Sequence, residues 1–332
     1  MKKTCVVKNR IERVCIVGTV YSFLLYLLYC SEQEFKNTFF FVGDTLASLL
    51  KGKGIDYHCF NGEKKRIYRS IFKISLKFFS HFRWSFLKTA KIFGQDHIQF
   101  FSGLVKDRNY SLLEDAPSFF SSFSNSFWYK QNQKLRDGWK KNIISLLYGK
   151  TFVWRFGESN QCENIILTQE NDLKFLKNKT TTLLDLEKTW QNSSEEKQKL
   201  ILNLFNVDLS APIFSAKKSI ILLTQPFYVE VPNFSEEEQV ELYKEIIERH
   251  DKNEVILKAH PRDKINYHKS FSDIEVFDKP IPMQFLSILG VKFEKAVTVS
   301  SSAALDFPYK IEVEKIGLSC RKKLEDYFGA QS

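Results

Sequence analysis

The carboxyl-terminal half of the chain repeats one pattern, a short apolar run that closes on polar residues. Residues 219–223 lead into Thr224-Gln225-Pro226, residues 255–257 into Lys258-Ala259-His260-Pro261-Arg262, and residues 296–299 into Ser300-Ser301-Ser302. Between the first two runs an acidic loop gives way to apolar positions at helical spacing from Val240 to Ile247, which predicts strand, crossover helix and strand in turn. A helix is predicted to start at Ala303. Strands joined in this way lie parallel, and open parallel sheets bind ligands beyond the carboxyl ends of their strands. The three polar tips are therefore expected to line one crevice.

The amino-terminal half carries a weaker version of the pattern. Residues 13–19 read as a strand and turn, and 20–30 as an apolar helix. The rival reading is a signal anchor, because basic residues precede the stretch. From Val14 to Cys30 there are seventeen residues, the lower edge of a membrane span, and Gly18, Thr19 and Ser22 interrupt them, which favours the strand and helix. Residues 39–42, 46–50 and 55–60 continue as strand, helix and strand. Residues 143–148, 151–156 and 164–168 read as short strands or helix edges, 172–205 as mostly helical, 311–316 as a last strand and 322–328 as a closing helix. The boundary falls between 206 and 218, giving domains 10–207 and 208–332. That division suits 332 residues, enough for two domains.

Composition narrows the function classes. There is no G-x-G-x-x-G and no Walker loop, and no His, Cys and carboxylate cluster has zinc spacing, so no metal is expected. Six cysteines, at 5, 15, 30, 59, 162 and 320, form no C-x-x-C pair and fit a reduced cytosolic setting. Net charge is +10 and unevenly spread: residues 64–91 hold nine Lys or Arg and no Asp or Glu, interleaved with Phe, Ile, Leu and Trp. This composition suits a helix on an anionic membrane surface. Nucleic acid is the competing partner, but the segment 235–248 is acidic and no nucleic-acid motif is present, so none is expected. The third reading is a core helix with a solvated basic face.

The tips carry specific chemistry. Lys258, His260 and Arg262 can neutralise phosphate, and three hydroxyls before a helix add donors where the dipole favours an anion. Pro261 fixes φ and biases His260 to an extended conformation, so the ring is held at a rigid tip. Elsewhere, Glu114-Asp115 closes a short apolar run, where two adjacent carboxylates suit a general base or an ordinary turn.

Laid out in order, these residues resemble the bacterial sialyltransferases of glycosyltransferase family 52, the lipooligosaccharide α-2,3-sialyltransferase group. The resemblance rests on Leu223-Thr224-Gln225-Pro226, Lys258-Ala259-His260-Pro261-Arg262-Asp263, Lys279-Pro280-Ile281-Pro282 and Thr298-Val299-Ser300-Ser301. It implies an α/β fold of GT-B architecture, two Rossmann-like domains facing each other across a cleft, with CMP-sialic acid held mainly by the carboxyl-terminal one. It implies that His260 contacts the CMP phosphate as general acid and that Ser300, Ser301 and Ser302 bind phosphate or the sialic acid carboxylate. Thr224 and Gln225 join the donor site with Lys258, Pro261 and Arg262. A glutamate that holds the ribose in related enzymes is replaced here by Gln284. The acidic D/E-D/E-G motif corresponds to Glu114-Asp115-Ala116, with alanine for glycine. Asp115 and Glu230, the latter in the loop after Thr224-Gln225-Pro226-Phe227, are alternative general bases.

The implied activity is inverting, metal-independent transfer of N-acetylneuraminic acid from CMP-Neu5Ac to a terminal galactose of a bacterial lipooligosaccharide or capsular glycan. No cofactor is expected besides the donor. Alternatives are a family 52 hexosyltransferase that uses another sugar nucleotide, and a non-enzymatic membrane or glycan-binding protein. The expected location is the bacterial cytoplasm, peripheral at the inner membrane face through 64–91, with a homodimer as a possible assembly.

Overall fold

The structure is a computed structural model. It describes residues 10–60, 66–117, 120, 127–170, 179–214 and 218–329, and only the backbone of 66–69, 127, 128 and 302. The chain forms two compact units, Met1–Leu204 and Phe205–Ser332.

The first unit is built on a seven-stranded sheet of β1 (Arg13–Val17), β2 (Thr38–Val42), β3 (Tyr57–Cys59), β4 (Lys91–Gly94), β5 (Tyr110–Leu113), β6 (Cys162–Leu167) and β7 (Thr180–Leu183). The order is β3-β2-β1-β4-β5-β6-β7, and each neighbouring pair is parallel. The chain winds outward from β1 in one direction, then returns to β1 and winds out in the other. Parallel strands buried on both faces read as continuous apolar runs, and Val14, Ile16, Phe41, Ile92, Leu112 and Ile165 fill this core.

The helix Val20–Tyr29 follows β1, with the Thr19 side chain accepting from the Ser22 N–H as its N-cap. Its residues Tyr21 to Leu28 are all buried. Each such Leu or Phe contributes about 1.5–3 kcal/mol by leaving water, so the apolar stretch that also suited an anchor is accounted for by packing. No helix among the described residues is long and apolar enough to cross a membrane.

The second unit carries five strands: β8 (Ile220–Leu223), β9 (Val255–Lys258), β10 (Glu275–Phe277), β11 (Lys295–Thr298) and β12 (Glu312–Lys315). They are parallel in the order β10-β9-β8-β11-β12. The crossover helix Glu236–Ile247 starts with a capping box between Ser235 and Glu238 and buries Leu242, Tyr243, Ile246 and Ile247.

The structure departs from the sequence reading in four places. Residues 143–148 and 151–156 fall mainly in two helices, Lys141–Tyr148 and Lys150–Val153. β7, within the stretch read as helical, is Thr-Thr-Thr-Leu, whose branched side chains favour an extended edge strand. β10 is a strand that the reading passed over. Finally, the serine tip opens a single 3-10 turn, Ser302–Leu305, and no α-helix. The dipole argument for an anion there fails, because one turn sums too few peptide units. Residues 64 and 65 of the basic segment and most of the aromatic and serine-rich stretch 119–129 lie outside the described residues.

Candidate active site

In the second unit the switch of winding direction falls between β8 and β11, the position where open parallel sheets hold ligands at their carboxyl edge. One side chain bridges it. Gln225, just past β8, accepts at Oε1 from the Ser300 N–H at 3.0 Å and from Ser300 Oγ at 2.7 Å. The Tyr243 hydroxyl accepts from the Gln225 N–H at 2.6 Å and fixes the same tip from behind. The Ser301 N–H donates to Thr298 Oγ1 at 2.9 Å, while Ser301 Oγ accepts from the Ala303 N–H. Of Ser302 only the backbone is described.

His260, past β9, is tied to the neighbouring β8 tip: its N–H donates to Thr224 Oγ1 at 2.9 Å. Thr224 Oγ1 in turn donates to Asp263 at 3.3 Å, and Asp263 also accepts from Gln239 at 2.9 Å and from the Tyr267 hydroxyl at 2.8 Å. The His260-Pro261-Arg262 turn folds back so that the Arg262 N–H donates to His260 Nδ1 at 3.1 Å. With Nδ1 an acceptor, the neutral ring carries its hydrogen on Nε2. Burial first, then the Arg262 and Lys258 cations, lower the imidazole from 6.5 to about 4. Near pH 7 it is a neutral donor.

Lys258 reaches this ring by its field. Its side chain is buried, with Nζ 3.4 Å from the Lys279 carbonyl oxygen and 5.4 Å from the centre of the Phe277 ring. Burial lowers its pKa from 10.5 to about 8, against the opposing pull of Asp278. Arg262 is exposed and pairs with Glu230, at the end of the short helix Phe227–Glu230. Gln284 is buried in the helix Met283–Ile288, its amide donating to the Asp306 carbonyl at 2.8 Å.

The first unit has its own switch point, between β1 and β4, with its own bridging glutamine. Gln95 accepts at Oε1 from the Gly18 N–H at 2.6 Å and donates through Nε2 to Thr19 Oγ1 and to Asp115. The close approach depends on Gly94: its φ is +154°, and a Cβ there would lie 2.2 Å from the Ile16 carbonyl oxygen. Asp115 faces His97 Nε2 at 3.6 Å. The His97 ring stacks on Phe156 at 5.7 Å. Phe156 sits at φ +65° and is held there by buried Asp96, which accepts from the N–H groups of Phe156 and Gly157 and from the Tyr110 hydroxyl, all at 2.7 Å. Burial raises the Asp96 carboxyl above its usual value, against those three hydrogen bonds.

The paired carboxylates Glu114 and Asp115 therefore part company. Glu114 is fully buried and accepts from the Tyr21 hydroxyl at 2.6 Å and from the Thr168 N–H at 2.9 Å, so it joins strand tips and is closed to a substrate. Asp115 is half-buried. Gln95, His97 and Phe156 were not singled out in the sequence. The signal for the first two was there in Phe93-Gly94-Gln95-Asp96-His97, an apolar run ending on glycine and polar residues. Among the described residues no group of three or more His, Cys, Asp or Glu could hold a metal ion.

Two doubly wound parallel sheets of this kind are the GT-B fold, found in glycosyltransferases. A crystal structure of an α/β-galactoside α-2,3-sialyltransferase from Photobacterium phosphoreum shares the fold, with TM-score 0.55, 13% identity, and coverage of 92% of this chain and 90% of that one. A sialyltransferase from Photobacterium damselae, its GT-B domain, follows at TM-score 0.49, 12% identity, and coverage of 91% and 89%. In sequence, an uncharacterized protein of Haemophilus influenzae is 28% identical over 257 residues, 77% of this chain and 78% of that protein. The model of glycosyltransferase family 52 matches residues 43–319. The chain belongs to glycosyltransferase family 52.

Proposed function

We propose that the protein is an inverting, metal-independent sialyltransferase that moves N-acetylneuraminic acid from CMP-Neu5Ac to a terminal galactose of a bacterial lipooligosaccharide or capsular glycan, in α-2,3 linkage. The observation that carries this reading is the imidazole of His260 locked in one tautomer at a strand tip, beside the β8 tip that Gln225 ties to Ser300. A neutral Nε2–H donor and the hydroxyl of Ser301, which accepts from the Ala303 N–H and has its own hydrogen to donate, suit a phosphate that must gain negative charge as it leaves.

The acceptor hydroxyl oxygen bonds to the anomeric carbon while that carbon's bond to the phosphate oxygen breaks. The electron pair leaves with CMP, and the hydroxyl proton passes to a carboxylate. His260 Nε2–H donates to the departing oxygen; to give up that proton the ring must take one at Nδ1, releasing the Arg262 N–H, and the anion's arrival favours this imidazolium. Ser301 holds the phosphate or the sialic acid carboxylate from the tip that Ser300 ties to Gln225, a role Ser302 shares by sequence. Pro261 fixes the turn, Thr224 positions His260, and Lys258 and Arg262 supply positive field. Gln284, whose amide N–H donates to the Asp306 carbonyl, is the candidate ribose contact. Asp115 and Glu230 are the candidate bases, and Glu114 holds the tip that carries Asp115.

Incubating the purified chain with CMP-Neu5Ac or UDP-hexoses and a panel of galactosides, with and without chelator, tests the reading. CMP release that needs a galactoside and ignores the chelator is expected. Turnover of UDP-sugars alone would overturn the donor assignment.

A further inference from the structure

Behind the His260 turn, in the second unit, a buried amide joins segments that lie apart in the sequence. Gln239, in the crossover helix Glu236–Ile247, is fully buried. Its Oε1 accepts from the Tyr228 N–H at 3.1 Å, one of the groups that the start of the short helix Phe227–Glu230 leaves without an intrahelical partner. Its Nε2 gives one hydrogen to Asp263 at 2.9 Å and the other to the Tyr267 hydroxyl at 2.7 Å. Tyr267, itself buried, passes its own hydrogen to the same Asp263 oxygen at 2.8 Å. An amide suits this place. A carboxylate would set a second charge against Asp263, and a hydrocarbon would leave the Tyr228 N–H unmet.

The carboxylate of Asp263 is where these hydrogens converge. It also accepts from the Ile265 N–H at 3.1 Å and from Thr224 Oγ1 at 3.3 Å. Drawing the Thr224 hydrogen toward Asp263 leaves that oxygen's lone pairs for the His260 N–H at 2.9 Å. The Asp263 N–H donates to the His260 carbonyl at 2.8 Å and closes the turn from His260 to Asp263. The N–H and C=O of His260 are thus both fixed, one through Thr224 and the other by Asp263 itself. Two further ties join this turn to the segment after β8: the Lys264 N–H donates to the Tyr228 hydroxyl at 2.9 Å, and Arg262 pairs with Glu230.

This anchoring bears on the proton that the ring must gain. Protonation at Nδ1 breaks the bond from the Arg262 N–H, which lies inside the turn. Because the turn is held at His260 and at Asp263, on either side of Arg262, that bond can open while the ring stays at the strand tip.

We propose that Gln239 and Asp263 are positioning residues for the transfer: together they hold the His260 turn against the crossover helix and keep the imidazole in its Nε2–H tautomer. The proposal rests on the role given to His260, and its test reads the ring directly as well as turnover.

The test is the ring-nitrogen NMR spectrum of the full chain carrying isotope-labelled histidine, with the His260 signals assigned by their loss in His260→Gln. Near pH 7 the parent is expected to show Nδ1 bare and Nε2 protonated. In Asp263→Asn and in Gln239→Leu the two nitrogens should move toward averaged values. Their kcat should fall about tenfold or more while CMP affinity stays within about twofold. Asp263→Asn combined with Gln239→Glu exchanges the amide and the carboxylate, so a hydrogen bond between the two positions returns, and this variant should regain most of the lost kcat. A urea midpoint for each protein identifies any that fails to fold, and Asp263→Asn with the exchange decides the question without Gln239→Leu. Parental ring signals and parental kcat in the folded single variants would overturn the proposal, since the network would then serve stability alone. So would a fall in CMP affinity as large as the fall in kcat, with no recovery in the exchange. A ring locked in the parent and released in the variants, in a protein that frees no CMP from CMP-Neu5Ac, would support the positioning and overturn the donor assignment instead.

Discussion

Replacing Gln225 by leucine tests whether the bridge across the β8–β11 switch point builds the donor site. Leucine fills similar space but removes the acceptor for the Ser300 N–H at 3.0 Å and for Ser300 Oγ at 2.7 Å. Each lost hydrogen bond costs about 1 kcal/mol net. Because Gln225 is only half-buried and water can partly replace it, the expected loss is about 2 kcal/mol in all. Functionally, a displaced Ser300 should weaken CMP binding by about tenfold, or about 1.4 kcal/mol. Urea unfolding and calorimetric titration with CMP measure the two effects separately. Gln225→Glu sharpens the test: it keeps both acceptor positions but sets a negative charge beside the nucleotide phosphate, so stability should be preserved while CMP binding falls. If Gln225→Leu left both quantities at parental values, the bridge would have no part in the site.

Three further outcomes are expected. Gly94→Ala should cost about 2–4 kcal/mol of stability in urea, since its Cβ would meet the Ile16 carbonyl; parental stability would contradict the close approach of β1 and β4. His260 is depressed from 6.5 to about 4 by burial and neighbouring cations, so in that window the unfolded chain binds more protons. Its contribution to stability is complete above about 6.5 and is lost as pH falls through about 4, and His260→Gln should shrink the difference between urea midpoints at the two ends; an unchanged difference would show an ordinary, solvated ring. Between Asp115→Asn and Glu230→Gln, the substitution that removes the base should lower kcat by about 10²–10⁴ with retained CMP binding; parental kcat in both would exclude both carboxylates.

The central strands of the carboxyl-terminal sheet, β8, β9 and β11, were legible because they are buried and end abruptly on chemistry: 255–257 into His260, 296–299 into Ser300. What links those tips was not, because Gln225 and Ser300 are seventy-five residues apart and only the return of the chain to β8 makes them neighbours. The same holds for Gln95 and Gly18. Lys258 reads as a phosphate ligand until its strand register turns the ammonium to the Lys279 carbonyl. Glu114 and Asp115 read as a pair, yet alternation past β5 sends one carboxylate inward to Tyr21 and leaves the other beside His97. The outward aromatic face of the helix Arg66–Arg83, where Phe79 and Phe82 are exposed, was hidden for a related reason. Periodicity shows that a helix has two faces but not which one packs; the side carrying Leu76 and Ser80 lies on Gly103, where a Cβ would come within 2.7 Å of Leu76 Cβ.

The most direct measurement is CMP release from CMP-Neu5Ac by the parent chain and by His260→Ala, each with its CMP affinity determined alongside. The account predicts galactoside-dependent release by the parent, a loss of about 10²-fold or more in the variant, and CMP affinity largely retained. Equal release by both proteins would contradict it, because the group placed at the leaving phosphate would then have no part in its departure.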